Sequence, residues 1–595
     1  MKKTFTKLAG GIMAASMILG TAGVAAPQVF ADDTYDITVT NGVAEDKGTH
    51  EYKAYQIFAA KSVSGSTLTD ITWGNAIAHS EDGATASFDD EFAQKLLKVF
   101  TDQGITGFEL NGSTTTLTKD NIKKAAVLAN ALSGLTSNTD GMKEFARVIM
   151  EVVDKTKAEA DAIDTSDDTD DGKITVNKPG YYIVEDTNTS EDGTKDTYTS
   201  EYMVEVAGNV TMTTKGTLPK SNKTVTDDED KDAFGNKDID DKTSDTADYD
   251  IGDKVPFTLY GSVANNYDQY TEGYYYSFVD RYCAGLGAPE DITVQAKVGN
   301  EWKTIAANDA TGYKYIAPTA VTGDGQYVNE FKIEFANLQN VKSGEDTLTG
   351  ITEIRVSYKA ELLSTALIGT ETGNPNKSHI EYSNNPNSNG KGESKDTEVV
   401  VFTYGLKVDK VDGNEKPLAG AKFKLMVKDG DNFVDYKNGT ERESVPVYEE
   451  MTDITGKTEG VDYVKEGDVC YTLKDGQKVI KSYTIDFKGL DEGTYKLVET
   501  VIPDGYNKAE DIEFTITAAQ TAGTGDAKGT DAVTVNHQKI TNNAGNLSTT
   551  VVNNTGATLP STGGIGTTIF YIVGAAAAVT AIVLLTTRRR ANKED

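Results

Sequence analysis

GTYKLVETVIPDGY, residues 493–506, reads as a strand running into a turn. Side chains alternate along a strand, so Tyr495, Leu497 and Glu499 share one face. If Leu497 points into a core, Glu499 does too. A lone carboxylate is costly to bury, and Glu is rarely buried without a partner. The stretch therefore predicts a β-domain whose core holds an acid with a task.

The same alternation recurs elsewhere. Leu406, Val408 and Lys410 fall in phase, as do Leu547, Val551 and Asn553. Upstream, Lys223 is in phase with Val225, Asp280 with Tyr276 and Phe278, and Asn384 with Ile380 and Tyr382. Asn385 competes with Asn384, because register can slip by one residue. Nearer the N-terminus, Lys53 is in phase with Tyr55 and Ile57, and Glu185 with Ile183 in GYYIVED. No clear Asn accompanies that last pair; Asn209 is the one considered.

Working outward, the chain has 595 residues, too many for one ordinary core. Its formal net charge of -34 would repel phosphates and argues against nucleic-acid binding. With 38% hydrophobic and 25% charged residues, it can still bury cores. Residues 1–31 read as a secretory signal: a basic start at Lys2, Lys3 and Lys7, an apolar run, then Val29-Phe30-Ala31. Residues 32–217 read as an α+β or β-sandwich domain, with a helical insertion built from DDEFAQKLLKVF, NIKKAAVLANAL and GMKEFARVIMEVV. Residues 218–398 and 399–555 alternate short β-like runs with Gly- and Asp-rich turns, the signature of sandwiches.

Residues 556–595 hold three signals in order. These are LPSTG (Leu559, Pro560, Ser561, Thr562, Gly563), an apolar run over 569–585 at the short end of membrane-spanning length, and Arg588, Arg589 and Arg590. Cys283 and Cys470 are the only cysteines and lie far apart, so they read as isolated thiols and not as a bridge.

Common enzyme signatures are missing. There are four His, no HExxH, no Walker loop and no CxxC. DTDDGKIT has partial calcium-loop spacing, but Lys178 stands where the bidentate Glu belongs, so no metal or other cofactor is expected. The 29 tyrosines suit strands better than a sugar site.

The ordered C-terminal signals look like a sortase cell-wall sorting signal of Gram-positive bacteria, and YKLVETVIPDGY resembles the E-box of their backbone pilins. Its one departure is Ile502 where the family favours Ala. VDKVDGNEKPLAGAKFKL resembles the opening strands of a collagen-adhesin B-type domain, and YSFVD and YSNNP resemble the pilins' middle domain. The resemblance implies a mainly β chain of tandem Ig-like sandwiches of collagen-adhesin A/B type, the first with a helical insertion. It also implies autocatalytic isopeptide bonds from a first-strand Lys to a last-strand Asn, catalysed by a buried acid. The residues carried over are Lys410, Asn553 and catalytic Glu499 in the C-terminal domain, and Lys223, Asn384 and catalytic Asp280 in the middle domain. Burial lowers a Lys pKa and raises a carboxyl pKa, so both tend toward the neutral forms the reaction needs.

Sortase is expected to cut between Thr562 and Gly563 and to join Thr562 to an acceptor lysine. Lys220, in TTKGTLPKSNK, is the choice and Lys215 the runner-up. The partners implied are a pilin-specific sortase, copies of the chain itself, ancillary or tip pilins, peptidoglycan and a host surface ligand. The protein would be a structural subunit and not a turnover enzyme. The alternatives are an ancillary pilin or wall-anchored adhesin, which should carry a binding domain, and a surface enzyme, which needs a catalytic constellation.

Overall fold

The computed structural model describes residues 34–556 apart from interruptions, of which 165–171, 189–196, 228–244 and 519–532 are the longest. The expected signal at 1–31 and the sorting segment from 557 onward lie outside the described residues. The chain divides into two units, one up to Tyr404 with a small return at Gly489–Asp491, the other from Gly405 onward. It is mainly β, and its strands gather into paired sheets in three successive stretches of the chain.

The first domain has two sheets. In one, strand Tyr35–Thr40 lies between Val210–Thr213, to which it is parallel, and Gly172–Val176. The other runs Glu201–Val206, Gly180–Asn188, His50–Ala59, Thr72–Trp73. Alternation decides what each face meets. Tyr52, Ala54, Tyr182 and Val184 pack toward Ile37 and Val39 between the sheets. Ile57, Ile183 and Met203 face the other way, onto a cluster with Leu96, Phe100, Leu128 and Phe145. Those last four come from the helices Asp90–Asp102, Ala125–Leu132 and Asp140–Met150, which form the expected insertion. The first helix starts where Asp89 Oδ1 accepts the amide of Phe92 at 2.8 Å, satisfying an otherwise orphaned donor.

The middle domain faces two larger sheets. One runs Ser221–Val225, Lys254–Ser262, Ile351–Glu361, Glu290–Val298, Glu301–Ile305. The other runs Thr246–Asp248, Thr397–Phe402, Asn374–Ser383, Tyr276–Cys283, Tyr327–Phe335, Lys314–Ala320. Strand Thr397–Phe402 pairs antiparallel with Asn374–Ser383. The expected division after 398 therefore falls inside a middle-domain strand, and that domain's last strand ends at Phe402.

In the third domain, Tyr404–Asp412 lies between Ile480–Leu490 and Asn546–Asn553. Its pairing with Asn546–Asn553 is parallel, with Lys410 level with Val551 and Asp412 level with Asn553. The facing sheet contains Lys422–Asp429, Gly493–Val501 and Ile512–Ala518. The parity expected of residues 493–501 holds: Tyr495, Leu497 and Glu499 are all buried, while Lys496 and Val498 are only half-buried.

The cap on the first helix gives a direct check. Asp89→Ala should lower first-domain stability by about 1 kcal/mol, measured by chemical unfolding, and Asp89→Asn should restore most of it.

Candidate functional site: buried lysine–acid–asparagine clusters

In the third domain the two facing sheets meet at a polar cluster. Lys410 and Asn553, on adjacent parallel strands, are both fully buried, and Glu499 comes from the opposite sheet at 4% exposure. Asn553 Nδ2 donates to Glu499 Oε2 at 3.0 Å and to the Asn507 carbonyl at 2.7 Å. The Ala509 amide donates to the same Glu499 oxygen at 2.8 Å. Among the described residues, Glu499 Oε1 and Asn553 Oδ1 have no hydrogen-bond partner. Lys410 Nζ donates to the carbonyls of Val411 (2.9 Å) and Val551 (3.2 Å). Burial pushes the Lys410 pKa down to about 8, and the charges of Glu499 and Asp412 only partly offset it. The structure thus brings together all three residues named from the sequence here.

The middle domain builds a tighter cluster. Lys223, on Ser221–Val225, and Tyr358, on Ile351–Glu361, come from one sheet; Asp280 and Asn376 come from the other. All four are at most 2% exposed. Lys223 Nζ pairs with Asp280 Oδ2 and donates to Asn376 Oδ1 at 2.8 Å. Burial drives the Lys223 pKa down and the Asp280 pKa up, and their mutual attraction offsets each only in part.

The asparagine here is Asn376 and not Asn384, which corrects the expectation. The cause is register. Tyr276 lies opposite Tyr382 and Asp280 opposite Ser378, so the acid sits level with the middle of strand Asn374–Ser383, two residues from Asn376 and six from Asn384. Asn384 lies beyond that strand's other end; its carbonyl accepts the Thr199 amide of the first domain at 3.0 Å. Its neighbour Asn385 donates to Thr199 Oγ1 at 3.3 Å. Asn376 has the same parity as Ile380 and Tyr382, so the sequence carried the signal; the antiparallel direction of the two strands is what selects it.

Among the described residues, the first domain brings Lys53, Glu185 and Asn209 into no such cluster. Lys53 lies opposite Glu185 in register but is half-buried, and its Nζ donates to Glu51 Oε2 at 2.9 Å. Glu185 accepts from Tyr55 and pairs with Lys155. Asn209 is exposed, its Oδ1 accepting the Asp36 amide at 3.1 Å. Between the sheets stands a group the sequence reading missed. His50 Nδ1 lies 2.7 Å from Asp186 Oδ1 and Nε2 lies 3.2 Å from Asp46 Oδ2, with all three residues buried. Asp46 also accepts the amides of Gly48 and Tyr198. Burial alone would lower the imidazole pKa; hydrogen bonds and charge from Asp186 and Asp46 outweigh it and raise it from 6.5 to about 10. The phase of His50 with Tyr52 and Ala54 was readable, but Asp46 lies in a loop with no periodicity to place it.

Lys220 is exposed, immediately before strand Ser221–Val225. Its amide donates to Ser262 Oγ at 2.8 Å, and its carbonyl accepts the Ser262 amide at 2.9 Å. Lys215 and Leu559, Pro560, Ser561, Thr562 and Gly563 lie outside the described residues, as does the partial calcium loop up to residue 171.

His50 makes a signed prediction. A raised folded-state pKa contributes stability that is complete below pH 6.5, declines as pH rises and is exhausted near pH 10. Fluorescence of buried Trp73, with Trp302→Phe removing the other indole, should follow that decline in first-domain stability. His50→Gln leaves two buried carboxylates without their cation and should cost about 3–5 kcal/mol at neutral pH.

Comparison with known proteins adds the following. Residues 405–531 match the family model described as a prealbumin-like fold domain. Residues 551–594 match the LPXTG cell wall anchor motif, so the chain is an extracellular, wall-anchored protein. The chain is 33% identical over 138 residues to the trypsin-resistant surface T6 protein of Streptococcus pyogenes serotype M6. That alignment spans 21% of this chain and 24%, about a quarter, of the relative. Among solved structures, the T6 backbone pilin of Streptococcus pyogenes is 16% identical, covering 89% of this chain and 100% of that one, with a TM-score of 0.42. The full-length major pilin SpaD of Corynebacterium diphtheriae is 15% identical, covering 88% and 98%, with a TM-score of 0.41.

Proposed function

We infer that the chain is the backbone subunit of a covalently polymerised surface pilus, stiffened by self-formed lysine–asparagine bonds. The observation that carries this is the repetition, in two separate dry cores, of one Lys, one acid and one Asn. A structural ion pair has no need of the asparagine. An amide-forming site does: neutral lysine attacks the side-chain carbonyl carbon, the acid moves the protons, and ammonia leaves. Packing holds the reactants close, with Lys223 Nζ 2.8 Å from Asn376 Oδ1 and Lys410 and Asn553 on adjacent strands, and that proximity supplies much of the rate. The product is a neutral amide, better suited to an apolar interior than the two charges it replaces.

The wall-anchor motif and the kinship with a surface protein of Streptococcus pyogenes support the cellular setting. Sortase then cuts LPSTG between Thr562 and Gly563 and joins Thr562 to Lys220 of the next copy. Lys220 suits the part, because it is exposed while Lys223 and Lys410 are sealed in cores. Its backbone is pinned to Ser262, so the acceptor stands on a fixed base. Ancillary or tip pilins and peptidoglycan complete the assembly. The self-joining reaction happens once per site and is not turnover.

Mass spectrometry tests the internal bonds. Each bond expels ammonia and removes about 17 Da, so the chain should weigh roughly 34 Da less than its sequence requires. Glu499→Ala and Asp280→Ala should each restore one increment, and a full-weight wild-type chain would end the proposal. Polymerisation has its own readout. Cells should yield a ladder of detergent-resistant multimers that Lys220→Ala abolishes; a chain that stays monomeric in wild-type cells would instead be an ancillary pilin or adhesin.

A further inference from the structure

The middle-domain core holds a fourth polar group for which the lysine–acid–asparagine scheme has no task. The Tyr358 hydroxyl donates to Asp280 Oδ2 at 3.0 Å, and accepts from Lys223 Nζ at 3.0 Å and from Asn376 Nδ2 at 2.8 Å. One oxygen therefore touches the nucleophile, the acid and the nitrogen that must leave. The ring is held firmly, stacked on Phe257 at 5.3 Å and edge-on to Phe331 at 5.2 Å.

The third domain shows why a fourth group belongs here. There Glu499 reaches the leaving nitrogen of Asn553 itself, at 3.0 Å. Asp280 is one methylene shorter. Its Oδ2 meets Lys223 and Tyr358, and it is Tyr358 that continues to Asn376 Nδ2. We propose that Tyr358 is a catalytic residue of the middle-domain cross-link, relaying a proton from Asp280 to the departing nitrogen of Asn376.

This rests on the cross-linking function inferred above. The protons balance. Starting from neutral Lys223 and protonated Asp280, Nζ bonds to Cγ of Asn376. With Cγ now tetrahedral, Nδ2 carries a lone pair and changes from donor to acceptor; the Tyr358 hydroxyl turns from Asp280 to Nδ2 and passes its proton there as protonated Asp280 gives its own to the Tyr358 oxygen. The Cγ–Nδ2 bond breaks, ammonia leaves, and Nζ returns one proton to Asp280. Tyrosine and acid end as they began, and no outside reagent is needed. Burial holds the hydroxyl well above the usual tyrosine pKa, so it remains a proton-bearing relay and does not settle as phenolate.

The test is a pulse-chase of the full-length chain, with peptide mass mapping to read the joined fraction at Lys223–Asn376 and, as an internal control, at Lys410–Asn553. Tyr358→Phe keeps the ring and removes the relay. It should slow the middle bond about a hundredfold or more while the third-domain bond forms at the wild-type rate. Site-specific replacement of Tyr358 by 3-fluorotyrosine keeps the shape and acidifies the hydroxyl, so it should shift the middle-bond rate even if the Phe variant fails to fold. A middle bond that is absent from wild type would sink the cross-linking function itself, and one that forms as fast in Asp280→Ala would remove the acid and, with it, the relay. A wild-type bond that needs Asp280 but forms as fast with Phe or 3-fluorotyrosine at 358 would overturn the relay alone.

Discussion

A lysine amine withdrawn from water beside a carboxylate is the constraint on which the second and third domains turn. Taking either charge out of water alone costs several kcal/mol, and pairing recovers only part of that. The site can relieve the cost by moving the proton, which leaves a neutral amine and a neutral acid. It can remove the cost for good by turning the amine into an amide. The structure places an asparagine where the second route opens. Alternation then follows as a requirement: Lys410, Glu499 and Asn553 must each fall in phase with apolar neighbours, or the cluster would be wet and the lysine would stay charged.

The first domain meets the same problem differently. Its buried cation is an imidazolium between two carboxylates, a group whose charge is matched in place and which has no amide to attack. Asp46 ties that cluster to the Tyr198 amide, and Tyr198 packs into the middle domain's core beside Leu218. The neighbouring Thr199 bonds Asn384. The ionic cluster therefore stands behind the joint between the first two domains.

Much of this was legible in the sequence. Period-two alternation placed Glu499, Lys410, Asp280 and Lys223 inward, and three-to-four spacing found the helical insertion. What alternation could not give was register. It makes Asn376 and Asn384 equivalent, and only the antiparallel pairing of Asp280 with Ser378 separates them. Tyr358 was invisible for a similar reason: it is one of many strand tyrosines, and its role lies in three contacts from three other strands. The domain limit near 398 fell short because residues 397–402 are apolar enough to begin a domain as well as to end one.

The shift from Asn384 to Asn376 has a mechanical meaning. In the third domain, a bond from Lys410 to Asn553 closes almost the whole fold, since Asn553 ends the last strand. In the middle domain, a bond from Lys223 to Asn376 leaves residues 377–402 downstream of the closure, including the final strand. Tension entering at Lys223 and leaving past Phe402 crosses the bond first and then reaches that stretch, which is held by strand hydrogen bonds and by the core packing of Ile380, Tyr382, Val399 and Val401, with no covalent link across it. Drawn out at ~3.3–3.6 Å per residue, it would lengthen the domain by on the order of 90 Å while the covalent bond stayed intact. Each subunit would then hold a length of reversible slack in series with its rigid parts, giving a shaft that yields under a sudden pull and recovers when released.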